Sequence, residues 1–143
     1  MKHMPREDIA GAVRQWLAAF EQAIARSGEA LDALFQPDSH WRDVLALTWR
    51  IDTVSGREAI LDCLRGIARE MRPTALAIDP ARTPPRRVRR AGAEAIEAIF
   101  RFETAIGRGE GVVRLVSDAD GRPRAWTLLT ALSELKGQEE QVG

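Results

Sequence analysis

The chain has 143 residues, enough for one domain with its own core, and its 21 Lys and Arg balance 21 Asp and Glu. Zero net charge gives no general attraction to nucleic acid or to an anionic membrane, and 45% hydrophobic with 29% charged residues is an ordinary soluble balance. One cysteine excludes an internal disulfide and suits a cytoplasmic protein; no apolar run is long enough to span a membrane, and no signal-peptide pattern is present.

Ile9, Ala12, Val13, Trp16, Leu17, Phe20 and Ile24 recur at helical spacing. Pro5, Glu7 and Asp8 suit the start of that helix and Gly28 its end. A shorter helix follows, with Leu31, Leu34 and Phe35 on one side, closed by Pro37. From Asp38 the period becomes two. Trp41, Asp43 and Leu45 share one face of a strand, and His40, Arg42 and Val44 take the other. Trp49, Ile51 and Thr53 continue in a second strand. Ser55-Gly56-Arg57-Glu58 reads as a capping box opening a third helix, which carries Ile60, Cys63, Leu64, Ile67 and Met71 and ends at Pro73.

The rest reads as strands. TALAID leads into the proline- and arginine-rich connection PARTPPRRVRRAG. In EAIEAIFRFETA, Ile96, Ala98, Phe100 and Phe102 alternate with Glu97, Ile99, Arg101 and Glu103. GRGEG reads as a turn into VVRLVS, and DADG as another into RAWTLLTAL. Residues 5–135 form one domain, and the polar stretch 136–143 is a tail or linker. Three helices in the first half and a long antiparallel meander predict an α+β fold, a curved sheet wrapped over helices with its concave face as a pocket.

LFQPDSHWRDV, followed closely by VSGREAI, resembles the nuclear transport factor 2-like superfamily, which includes polyketide-cyclase-like and steroid-isomerase-like families. The resemblance implies a cone-shaped, cystatin-like fold with a central pocket. LFQPDSHWRDVLALTWRIDTVSGREAI, ARTPPRRVRRAG, FRFETAIGRGEGVVRL and AWTLLTALSELKGQEE together look like the amino-terminal domain of flavin-dependent monooxygenase-like proteins. That implies a Rossmann-type flavoprotein beyond this stretch, with FAD and NAD(P) bound there and no cofactor in this chain. GRGEG joins two strands here, so it cannot cradle a pyrophosphate at a helix start.

Asp43 falls where the steroid-isomerase-like families keep a catalytic aspartate. Between Trp41 and Leu45, an apolar setting would raise its pKa and fit it for proton transfer. The plainer alternative is a carboxylate that binds backbone N–H groups or an arginine. The position of the family's tyrosine donor holds Trp16, and the chain has no tyrosine; its protonated-acid donor falls near Val113. Epoxide hydrolysis needs an Asp–Arg–Asp set, for which Asp43, Arg114 and Asp52 are the candidates.

Trp16, Trp41, Trp49 and Trp126 either line the cavity or fill it, with Phe20, Leu45, Phe100 and Phe102. His40 reads as a surface residue and Cys63 as core, and two histidines with one cysteine make no metal cluster. Arg86, Arg87, Arg89 and Arg90, with Arg82, form either a solvated hairpin or a docking surface for a flavoprotein.

Two functions remain open. One is a non-catalytic accessory domain that holds a small hydrophobic ligand, docks on a flavoprotein or forms a homodimer through the face of Ile99, Val113 and Leu115. The other is a small isomerase, dehydratase or hydrolase with Asp43 as general base.

Overall fold

The computed structural model describes residues 6–26, 28–48 and 50–135. Pro5, Trp49 and the 136–143 tail lie outside the described residues.

Helix α1 (Arg6–Ala25) buries the predicted stripe: Val13, Trp16, Leu17 and Phe20 are almost wholly covered. Covering one such side chain contributes about 1.5–3 kcal/mol. Trp16 stacks on Phe20 at 4.9 Å, and Phe35 meets both rings edge-on at 6.0 Å. Gly28 takes φ 86° just past the helix and donates its N–H to Ala23 O at 2.8 Å, the stop expected of a glycine there. The short second helix is a single 3-10 turn, Leu31–Leu34, not an α-helix. It leads directly into strand β1 (Phe35–Val44), so the described residues form two α-helices where the sequence suggests three helices.

After β2 (Ile51–Ser55), helix α2 (Arg57–Met71) covers the sheet near β1, while α1 lies against β3 and β7. The expected capping box is not formed. Gly56 is the N-cap, at φ 92°, and among the described residues no side chain caps the helix. Ser55 stays in β2, and its hydroxyl bonds His40 Nδ1 at 2.9 Å across the β1–β2 pair. The cross-strand partner outcompetes the cap.

Strands β3 (Thr74–Ile78), β4 (Arg86–Arg90), β5 (Ala93–Glu103), β6 (Gly107–Ser117) and β7 (Pro123–Leu135) complete one seven-stranded, curved, unclosed sheet in the order β2-β1-β7-β6-β5-β3, with β4 also on β5. Every pairing is antiparallel except β1–β7, which is parallel. No hairpin links those two strands, so nothing forces them to run in opposite senses.

GRGEG is not a turn. Gly107, Gly109 and Gly111 lie inside β6, and the reversal is at 104–106, closed by Thr104 N–H to Gly107 O at 2.8 Å. Phe102 and Phe100 are the cross-strand partners of Gly109 and Gly111, and their rings occupy the space a Cβ would need. The glycines let two aromatic rings lie flat on the concave face.

That face carries Trp41, Ala98, Phe100, Phe102, Val113, Leu115 and Leu128, all buried. Val113 and Leu115 therefore face inward and leave the proposed dimer surface. Ile99 pairs with Val112 on the outer face, and the two-residue period puts Arg114 beside them. Among the described residues no helix is long and apolar enough to cross a membrane.

Candidate functional site

Strand β1 places Trp41 and Asp43 on the inner face, where they are 0% and 1% exposed. His40 and Arg42 face outward. The strand stops at Val44. Leu45 takes φ 62° and turns to solvent, 39% exposed, so it leaves the face it was expected to share with Asp43. Leu45 N–H bonds Arg50 O at 3.0 Å, closing a loop, while Ala46 and Leu47 fold back into the core.

This loop is wrapped around the Asp43 carboxylate. Thr48 donates its N–H at 2.8 Å and its hydroxyl at 2.7 Å, and Leu47 N–H reaches both oxygens at 3.1 Å. From β7, Thr130 donates its hydroxyl at 2.5 Å, and the Thr130 oxygen accepts the Trp41 indole N–H at 2.9 Å. Five hydrogen bonds offset the burial of this carboxylate. It pins the loop over the end of β1 and has no open side.

Trp41 and Phe100 have no accessible surface, so these two rings border no void wide enough for water, and Phe20 is 1% exposed. Trp16 and Phe102 are 3% exposed. Trp16 spends its indole N–H on Leu34 O at 2.9 Å, so it offers no donor to an oxyanion. Trp126 is half-buried on β7.

Asp43, Arg114 and Asp52 do not assemble. Asp52 stands opposite Asp43 in the β1–β2 register, but Arg114 lies on the outer face, bound to Glu97 at 2.9 Å. Cys63 is half-buried against the core; burial pushes its thiol up first, Asp52 adds to this, and Arg50 opposes it, so it is no ready nucleophile. Among the described residues no group of three His, Cys, Asp or Glu could hold a metal.

The β4 arginines are divided by strand alternation. Arg86 pairs with Glu97 across β4–β5, and Arg90 lies on the same face; Arg87 and Arg89 are on the other. Glu97, 14% exposed, receives Arg114 at 2.9 Å, Arg86 at 3.3 Å and Arg90 at 3.7 Å. Burial alone would raise its pKa, but these guanidinium groups outweigh it and hold the carboxyl below its usual range.

On the outer face, β2, β1, β7 and β6 enclose an open hollow of about 350 Å³. Val112 and Leu129 give it apolar walls, while Arg42, Arg114 and Thr53 stand around it. Sequence reasoning placed His40 and Arg42 outward but found no site there. It also missed Thr130, although a threonine spaced two residues from inward Leu128 must share that buried face.

No family model matches the sequence, and no curated protein matches it. Solved structures do. A nuclear transport factor 2-like superfamily protein from Salmonella enterica matches with a TM-score of 0.63 and 14% identity over 97% of this chain and 98% of that one. A ketosteroid isomerase-like protein from Erwinia carotovora atroseptica gives 0.61 and 13% identity over 88% of this chain and 94% of that one. ActVI-ORFA from Streptomyces coelicolor gives 0.57 and 14% identity over 89% of this chain and 96% of that one. At such identities the likeness is one of architecture: the chain has a nuclear transport factor 2-like fold.

Proposed function

We propose that this chain is a non-catalytic accessory domain that works through its surface and not through a reaction at Asp43. The observation that carries the reading is the saturation of Asp43: five hydrogen bonds from Leu47, Thr48 and Thr130, at 1% exposure. A general base must reach its substrate's proton directly or through one water. Here both oxygens are engaged, and the carboxylate is buried. Trp16, at the position of the resembled donor, is occupied as well.

The sequence resemblance to monooxygenase-associated domains supports a flavoprotein as the partner, and FAD and NAD(P) would belong to that partner. Arg89 is exposed and bonds only backbone among the described residues, which suits a docking contact. The test is to incubate the chain with steroids, epoxides and aromatic lactones, and separately with an FAD-loaded monooxygenase domain. No turnover is expected, together with flavoprotein binding that weakens in Arg89→Ala. Turnover that disappears in Asp43→Asn would contradict the proposal.

A further inference from the structure

We infer that the hollow on the outer sheet face is a binding site for a small organic anion, a carboxylate on a flat apolar body, held by Arg42 and Arg114. The inference concerns the opposite face from Asp43 and stands whether or not the domain serves a flavoprotein.

The walls supply the first half of the argument. Val112 and Leu129 form an apolar surface that no helix among the described residues covers, within a hollow of about 350 Å³. That volume is at the lower end of the range for small-molecule sites, roughly 300–1,000 Å³.

Charge supplies the second half. Among the described residues no carboxylate lines the hollow. Arg42 is exposed; it donates to Thr53 Oγ1 at 3.2 Å and has no acidic partner among the described residues. Arg114 is held by Glu97, which it shares with Arg86 and Arg90, so one carboxylate serves three guanidinium groups. The surplus is positive. Glu97 uses Arg114 Nε, which leaves the terminal NH₂ groups able to grip a planar carboxylate.

The same charge pattern argues against a second copy as the occupant. A two-fold axis through the hollow would bring Arg42 and Arg114 against their own counterparts, a like-charge contact. An inorganic anion would leave the apolar walls unused.

The test titrates the full chain with naphthoate and with its neutral analogue naphthalenemethanol, following the Val112 and Leu129 methyl resonances and the heat of binding. Naphthoate should bind and shift those methyls, more weakly as salt rises, and naphthalenemethanol should bind at least about tenfold more weakly. Arg42→Gln, an exposed change, should weaken naphthoate about tenfold without altering the unfolding midpoint. Equal affinity for the two compounds, shifts confined to other residues, no binding at millimolar naphthoate, or a solution dimer that protects Val112 and Leu129 would each overturn the inference.

Discussion

Thr130 donates a hydroxyl hydrogen bond to Asp43 Oδ1 at 2.5 Å across the parallel β1–β7 pair. Its oxygen at the same time accepts the indole N–H of Trp41 at 2.9 Å. One hydroxyl thus satisfies a buried acceptor and a buried donor. Thr130→Val keeps the shape and removes both bonds, leaving Trp41 N–H without a partner. The expected loss is about 2–4 kcal/mol of unfolding free energy, read from the urea midpoint.

Ser39 is the contrasting case. It is fully buried on β1, but its hydroxyl has no partner among the described residues. Ser39→Ala removes an unsatisfied group and little volume. Stability should stay within about 0.5 kcal/mol or rise, in the same urea experiment.

Gly111 should resist enlargement. A Cβ there would lie 2.3 Å from Phe100 Cζ and 2.7 Å from Leu129 O. The phenyl ring has nowhere to retreat, being fully buried. Gly111→Ala should cost about 1–3 kcal/mol by thermal or urea unfolding, whereas Gly66→Ala, with nothing within 4 Å of its Cβ, should be neutral or stabilising.

Glu97 gives a pH dependence of defined sign. Its folded carboxyl is held below the usual glutamate range, because Arg114, Arg86 and Arg90 outweigh the effect of burial. The unfolded chain therefore takes up the proton first as pH falls. The contribution is complete above the unfolded value and is lost as pH falls through the folded one. Urea midpoints measured from pH 6 to pH 3 should fall less steeply in Glu97→Gln than in the parent chain.

Much of this was legible wherever a period was long and unbroken. The α1 stripe from Ile9 to Ile24 and the alternation of Ile96 to Phe102 are as the spacing implies. The inward side of β1 was legible at Trp41 and Asp43 and lost at Leu45, where a positive φ breaks the alternation. Ser55 was misread because a cap and a cross-strand bond to His40 compete for one hydroxyl, and sequence proximity reveals only the first. GRGEG was misread because glycine marks both turns and places where a ring lies on the backbone; only the pairing with Phe100 and Phe102 separates them. Asp43's role turned on Thr48, five residues on, and Thr130, 87 residues on. The near partner lay in the short gap between two expected strands, and the distant one in an apolar run.

The central claim, that Asp43 is a structural clasp and not a reacting group, is tested most directly by the unfolding free energy of Asp43→Asn. An amide in that position turns an NH₂ toward the donors of Leu47, Thr48 or Thr130. The account predicts a loss of about 2 kcal/mol or more, with a less cooperative unfolding transition as the loop comes free. Unchanged or increased stability, the behaviour of a catalytic acid held at the expense of the fold, would contradict it.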